Sequence, residues 1–362
     1  MAMAVSTLLL GLGAAVVTLV VHELGHLVAG LAVGFQFSLF AIGPLLIERT
    51  PMGRIRLGWN RVPSFFGGVA GTRPVRTDSL RPRFAVVVAG GPCANVLLAI
   101  AAAIALSWFP VPHGLLRVGL GWVRLLSAAI FLGTAIPLPN GPFVTDGLRF
   151  LRIVRRGPGS DRELSILALG AAEFGGLRPK DWDASLIERG LAIRDGSIYE
   201  CQLHLYSYMH ALDSGLLDAA KASLDHALSL HVPPFLRGPC LVEAAYFEAA
   251  HGGDPKRARE LLGSARPRTF GVLESDRLRA QAAIAVAEGD TSTAHETLSR
   301  AIANNPPWAT GPRAWLTALG EGIEAVVNPK SWLSDADRLR TRLDLSPMTE
   351  GALRKAKAKG RP

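Results

Sequence analysis

The first 156 residues contain no lysine and only four acidic residues, although they hold 14 arginines, a net charge of +10. Residues 157–362 carry 25 basic and 26 acidic side chains, a net charge of −1. The positive charge of the whole chain, +9, therefore comes from residues 1–156, which are also its most apolar part. Arginines that flank apolar segments are typical of membrane proteins with positive cytoplasmic loops. The charge pattern therefore favours a lipid bilayer over nucleic acid as the partner.

Cysteine is also scarce. The chain has only Cys93, Cys201 and Cys240, an odd number without any CxxC spacing. The sequence therefore implies neither a disulfide framework nor a zinc site built from cysteines.

Long apolar runs are concentrated in the N-terminal part. The first run lacks the positively charged start of a signal peptide and continues to about Gly34, so it predicts a retained transmembrane helix. We predict three spans, at about residues 4–29, 84–109 and 115–138, each long enough to cross a bilayer. Arg124 lies deep in the third span and needs a partner or a watery cavity there.

The loops between the spans indicate an orientation. Residues 35–83 contain eight arginines, four more follow the third span, and the loop between the second and third spans contains none. The positive-inside rule then predicts a multi-pass protein of the cell membrane, with the N-terminus outside and the C-terminal part in the cytoplasm.

The first loop shows the pattern of a small β-hairpin. Two runs rich in β-forming residues flank a turn at Thr50–Gly53, which predicts the hairpin at the membrane surface. The next segment, residues 63–74, is rich in glycine and proline and fits either a loop that dips into the membrane or a plain linker.

From about residue 160 the pattern indicates soluble helices. Three helical pairs are predicted at residues 198–230, 239–265 and 274–303, and their breaks contain Gly215, Gly253 and Gly289, at intervals of 38 and 36 residues. This spacing is similar to the 34-residue period of tetratricopeptide repeats, with an irregular helical bundle as the alternative.

The predicted fold class is thus mainly α. It comprises a multi-pass transmembrane helical core with a small β-hairpin loop, followed by a soluble TPR-like helical solenoid. We predict a membrane-embedded domain at residues 1–156, a cytoplasmic TPR-like domain at 157–345 and a basic tail at 346–362.

The motif that carries chemistry is His22-Glu23-Leu24-Gly25-His26, near the end of the first span. Histidines at positions i and i+4 of a helix share one face and can bind one zinc ion, while the adjacent Glu23 can act as the base. Ionisable side chains inside a membrane are costly unless they pair or bind an ion, which favours a functional site.

A third ligand is needed, and Asp146 is the best candidate because it follows the third span on the predicted cytoplasmic side, where His26 also lies. The alternative is that Asp146 is the N-cap of a helix. Glu48 and Asp78 lie in the arginine-rich loop, and we expect them to pair with arginines there.

Three motifs together resemble the site-2 protease family of intramembrane metalloproteases. HELGH matches the zinc motif of that family, Gly91-Pro92-Cys93-Ala94-Asn95 matches its GPxxN element, and Thr145-Asp146-Gly147 matches its Asp-Gly element. The resemblance covers about residues 1–155.

The resemblance implies specific roles. His22, His26 and Asp146 would bind Zn²⁺, with Glu23 as the base, and Asn95 would hold the substrate strand or the oxyanion. Taken alone, Asn95 could equally be a helix-packing residue. One departure is that Thr134 stands where the family commonly has asparagine, and the register of the nearby Asn140 does not settle which takes that role.

The expected activity is hydrolysis of peptide bonds in transmembrane protein substrates, with the helical C-terminal domain recruiting substrates or a cytosolic protein partner. One alternative is a catalytically inactive membrane adaptor that presents the TPR-like domain. Another is a zinc hydrolase that acts on a lipid-soluble substrate other than a peptide.

Overall fold

Three long helices form the apolar part of the protein. The structure, a computed structural model, describes residues 2–110, 114–140, 143–265 and 271–327. All three helices are long and apolar enough to cross a membrane, as predicted. They are α1 (Ala2–Ala32), α2 (Leu80–Trp108) and α3 (Leu115–Ala135).

Helices α1 and α2 cross at two glycines. A Cβ atom added to Gly25 would lie 2.4 Å from the carbonyl oxygen of Gly90, and one added to Gly90 would lie 2.4 Å from that of Gly25. Small residues let two membrane helices approach to backbone contact. This crossing places the HELGH segment of α1 directly against the Gly-Gly-Pro segment of α2.

A four-stranded antiparallel sheet follows α1, with the strand order β3-β2-β1-β4. The predicted hairpin is confirmed: β2 and β3 pair in register from Leu45 opposite Trp59 to Arg49 opposite Ile55. Residues 63–74, expected as a loop or a linker, form instead a 3-10 turn and then an edge strand of the sheet. The strands are β1 (Phe35–Ile42), β2 (Leu45–Arg49), β3 (Ile55–Trp59) and β4 (Val69–Pro74).

The two acidic residues of the first loop pair with arginines, as expected. Glu48 forms an ion pair with Arg56 across β2 and β3. Asp78 Oδ1 lies 2.9 Å from Arg76 Nε. Glu48 and Asp78 are therefore occupied outside the HELGH site.

Ten α-helices follow α3 in the described part of the chain. The chain divides into two compact units, the first ending at Ala171 and the second beginning at Ala172. A short strand pair, β5 (Pro139–Asn140) and β6 (Phe143–Val144), precedes them. The helices are α4 (Asp146–Arg155), α5 (Pro158–Phe174), α6 (Ala184–Gly190), α7 (Ile198–Asp213), α8 (Leu217–Ser229), α9 (Pro234–Phe247), α10 (Pro255–Ser264), α11 (Glu274–Glu288), α12 (Thr291–Asn304) and α13 (Thr310–Val327).

The three predicted helical pairs correspond to α7 with α8, α9 with α10, and α11 with α12. Gly215, Gly253 and Gly289 lie at the breaks with φ of 74°, 77° and 82°, a left-handed conformation that ends a helix and suits glycine. That these pairs form a TPR-like solenoid stays a prediction, and the predicted basic tail at 346–362 lies outside the described residues.

The core of the second unit contains a buried ion pair between Arg279 and Glu243. The Arg279 guanidinium lies over the rings of Tyr246 and Trp315, at 4.4 and 4.7 Å from their centres. Tyr208 donates a hydrogen bond of 2.9 Å to the same glutamate. A buried charge is tolerated when it is paired and hydrogen-bonded in this way.

Candidate metal centre

The two histidines of HELGH project from one face of α1. Their Nε2 atoms lie 3.3 Å apart, and the rings meet edge to face at 86°. His22 is buried, and His26 is only slightly more exposed. The i, i+4 spacing on a helix produces this arrangement, as the sequence predicts.

Asp146 completes a triangle of possible ligand atoms. Its Oδ2 atom lies 3.2 Å from His22 Nε2 and 3.5 Å from His26 Nε2. Ligands at about 2.0–2.1 Å from a tetrahedral zinc ion are separated by about 3.3 Å. The three atoms therefore fit a single metal ion, and this group can hold one.

Asp146 is placed by the residue before it. Thr145 is the N-cap of α4, and its hydroxyl accepts a hydrogen bond from the Leu148 N–H at 3.4 Å. The same hydroxyl donates to the Ile136 carbonyl at 2.7 Å, which ties α4 to the segment after α3. Asp146 is the first residue of the helix, so the alternative in which it is the N-cap is wrong.

Gly147 allows the start of α4 to lie against the end of α3. A Cβ atom at this position would lie 1.8 Å from the carbonyl oxygen of Ala135, which is far inside van der Waals contact. A side chain at this position would clash with the backbone at the end of α3, so glycine permits the close approach that places Asp146 next to the histidines.

The Asp146 carboxyl group is held in its ionised form. Burial raises its pKa, but hydrogen bonds and charge interactions with His22 and His26 outweigh burial, so the net pKa lies well below the usual value. Its position in the first turn of α4 also favours a negative charge. Asp146 therefore presents an anionic oxygen, as a metal ligand requires.

Helix α2 orients His26. The Nδ1–H group of His26 donates to the Val87 carbonyl oxygen at 2.8 Å, so the neutral, metal-binding form of this imidazole has its lone pair on Nε2. A Cβ atom at Gly91 would lie only 2.3 Å from His26 Nε2. Glycine in the Gly-Pro motif therefore makes room for the imidazole, a reason that the sequence pattern alone does not reveal.

Asn95 lies against the other histidine. Its side chain is fully buried, and its amide nitrogen is 3.4 Å from His22 Nδ1, while its Oδ1 has no partner among the described residues. Amide nitrogen and oxygen are assigned from the hydrogen-bond network. Exchanging them lets Oδ1 accept from the His22 Nδ1–H and leaves the Nε2 lone pair of the neutral imidazole for a metal, while the amide nitrogen takes the position that has no partner among the described residues.

Glu23 does not belong to the ligand triangle. Its carboxylate lies against the sheet, where the backbone of Ala70 in β4 forms a hydrogen bond to it. A Cβ atom at Gly68 would lie 2.8 Å from Glu23 Oε1, and Gly68 has a φ of 105°. The glycine-rich segment before β4 thus provides the space that the Glu23 side chain occupies.

Thr134 and Asn140 receive no role from the described contacts. The Thr134 hydroxyl donates to the Phe131 carbonyl oxygen of its own helix, at 3.4 Å. Asn140 lies in β5, and its side chain is outside the described part of the chain.

Gly91→Ala is expected to lower zinc affinity by about 10–100-fold, because the added methyl group must displace the His26 ring from its position near the other ligands. Gly13→Ala is the matched control, since a Cβ atom in that part of α1 meets no described atom within 4 Å. Titration of metal-depleted protein with zinc checks this, and equal affinities for the two variants would contradict it.

A helix that bears His-Glu-x-x-His and a carboxylate brought in from a distant segment define a metalloprotease. The family model of Peptidase family M50 matches residues 9–333. The chain therefore belongs to Peptidase family M50, and the resemblance to site-2 proteases is confirmed. No curated protein and no solved structure matches the chain.

Family membership extends further along the chain than the three motifs do. The last of the three motifs ends at Gly147, whereas the match continues through most of the helical C-terminal unit. Together with three helices that are long and apolar enough to span a bilayer, the family identifies a membrane protein of the metalloprotease class.

Proposed function

We propose that this protein is a zinc-dependent intramembrane endopeptidase that hydrolyses peptide bonds of transmembrane proteins. The observation that carries the proposal is the triangle of His22 Nε2, His26 Nε2 and Asp146 Oδ2, with edges of 3.2, 3.3 and 3.5 Å. Two imidazoles and one carboxylate are a ligand set typical of catalytic zinc, with the fourth position left for water or substrate.

Zinc, when bound, supplies Lewis-acid chemistry that acidifies water and polarises a scissile carbonyl group. Glu23 is the general base in this proposal: it accepts a proton from the attacking water and passes it to the leaving amine. The contact with Ala70 holds the Glu23 carboxylate beside the ligand triangle without making it a ligand.

For Asn95 the contact with His22 supports a positioning role. An amide oxygen that accepts from His22 Nδ1–H fixes the tautomer and the orientation of the ring. The role that the family resemblance implies, holding the substrate strand or the oxyanion, stays a prediction beside it.

We propose that β4 receives the substrate. This strand is at the edge of the sheet, and its residue Ala70 contacts the proposed base, so an extended peptide added to β4 would run past Glu23. A helical peptide bond is shielded by its own hydrogen bonds, so the substrate segment must unwind before cleavage.

The remaining parts of the proposal concern topology and recruitment. The arginine distribution supports an N-terminus outside the cell and a cytoplasmic C-terminal domain. We propose a membrane-embedded domain at residues 1–156, a cytoplasmic domain at 157–345 and a basic tail at 346–362. The three helical pairs, all in the second domain, support a TPR-like array that binds a cytosolic partner or recruits substrate.

The activity is tested with purified protein in liposomes together with a panel of single-span membrane proteins, each fused to a reporter. We expect release of at least one reporter, loss of release after treatment with a strong zinc chelator, and recovery on addition of zinc. Cleavage by metal-free protein would contradict the proposal. Absence of zinc from the centre of His22, His26 and Asp146, together with no cleavage of any panel member, would favour the adaptor alternative.

A further inference from the structure

A second group of metal-ligating side chains lies in the C-terminal unit and is not used by the proposed protease mechanism. Glu200 and His204 are one turn apart on α7, and His226 faces them from α8. Glu200 Oε1 lies 2.8 Å from His226 Nε2 and 3.9 Å from His204 Nε2, and all three candidate ligand atoms lie within 4.8 Å of one another.

Glu200 is fixed before any ion binds. It is the third residue of α7 after the N-cap Ser197, and its Oε2 atom accepts hydrogen bonds from the backbone N–H groups of Asp195 and Gly196, at 2.8 and 2.7 Å. The side chain is 2% exposed. One carboxylate oxygen is therefore held by the backbone, while the other points at the two imidazoles, as supporting hydrogen bonds do for a ligating carboxylate.

His204 presents a lone pair to the same space. The Arg194 guanidinium lies 3.3 Å from His204 Nε2, and because arginine can only donate, this nitrogen is an acceptor. His204 is buried, whereas Arg194 is exposed on the surface and can move away. A neutral imidazole nitrogen with a lone pair is the form in which histidine binds a metal, and this nitrogen lies 3.9 Å from Glu200 Oε1.

His226 leaves the group accessible. Its side chain is 37% exposed, and its ring lies 4.1 Å from that of His204, tilted by 40°. An ion can therefore enter from the His226 side, and water can occupy a remaining position. The separations of 2.8 and 3.9 Å lie on either side of the value of about 3.3 Å for tetrahedral ligands, so small side-chain rotations bring the three atoms around one ion.

We propose that Glu200, His204 and His226 form a second site for a divalent transition metal ion, with zinc as the first candidate because the ligands are imidazole and carboxylate. The bound ion would tie the start of α7 to α8 in the first helical pair. The proposal does not depend on the protease function. The competing explanation is that Glu200 only caps α7 and forms an ion pair with His226.

The test uses the full-length chain with His22→Ala and His26→Ala, which removes two ligands of the first centre. After chelation and gel filtration, this variant is titrated with zinc by calorimetry. We expect about one zinc ion per chain. Adding His226→Gln, at a partly exposed position, should weaken binding at least tenfold, whereas His231→Gln, an exposed histidine of the same unit, should leave it unchanged.

Arg194→Gln separates the two explanations further. Removal of a positive charge next to His204 should tighten zinc binding several-fold, although it removes a contact from the metal-free protein. No zinc binding in the His22 and His26 variant, or equal affinity with and without His226→Gln, would overturn the proposal. If the variant with His22→Ala and His26→Ala does not fold, the single substitution His226→Gln is made in the wild-type chain. This single variant should then bind one zinc ion instead of two, and an unchanged number of zinc ions would overturn the proposal.

Discussion

Glu23→Gln is expected to reduce peptide-bond cleavage by about 10²–10⁴-fold or more while the zinc content of the protein stays unchanged. Glutamine keeps the size of the side chain and its place beside β4, but its amide cannot accept the proton of the attacking water. Because Glu23 is outside the triangle of ligand atoms, metal binding should persist. Initial rates of reporter release and zinc content, measured on the same preparations, check both parts.

Glu48→Gln is the matched control for this substitution. It also replaces a carboxylate by an amide in the membrane-associated unit, but Glu48 pairs with Arg56 on the sheet and does not belong to the ligand group. We expect wild-type cleavage from this variant. If Glu23→Gln retained cleavage of a defined substrate, Glu23 would not be the base.

Gly147→Ala is expected to have the second largest effect, a loss of zinc affinity of about 10–100-fold or more together with a corresponding loss of cleavage. The new Cβ atom would lie 1.8 Å from the Ala135 carbonyl oxygen, which is backbone and cannot rotate away. The start of α4 must therefore shift, and Asp146, its first residue, shifts with it. Helix propensity alone predicts the opposite sign, since alanine stabilises a helix by about 1 kcal/mol relative to glycine.

Gly133→Ala provides the comparison for Gly147→Ala. This residue lies near the end of α3, and a Cβ atom there meets no described atom within 4 Å. It should bind zinc as the wild type does and be no less stable. Zinc titrations of the two variants, with circular dichroism as a check on folding, decide the matter, and wild-type affinity of Gly147→Ala would show that Asp146 is not held through this contact.

The sequence predicts the candidate metal ligands better than the contacts that hold these ligands in place. HELGH and Asp146 are recognisable because a metal site requires these residue types, and the structure brings all three candidate ligands together. The contacts that hold them in place depend on the crossing of α1 with α2, which spacing along the chain does not reveal. The Val87 carbonyl, the Gly91 gap and the Asn95 amide are therefore visible only in three dimensions.

The sheet shows a similar limit. The β2–β3 hairpin is local, and its turn residues announce it. Strands β1 and β4 are separated by the whole hairpin, and their pairing, from Phe35 opposite Pro74 to Ala41 opposite Val69, is not local. Residues 63–74 are rich in glycine and proline, which is typical of a loop. This composition therefore does not predict β4, the strand that contacts Glu23. The contact between Glu200 and His226 in the C-terminal unit is not local either. These residues are 26 positions apart in the sequence, and the packing of α7 on α8 brings them together.

The most direct test of the central claim is the zinc content of the detergent-purified wild type beside Asp146→Ala and the control Asp78→Ala, whose aspartate pairs with Arg76 on the surface. We predict that Asp146→Ala holds one zinc ion per chain fewer than the wild type, and that Asp78→Ala matches the wild type. Equal zinc content in all three proteins would contradict a metal centre assembled from α1 and the start of α4.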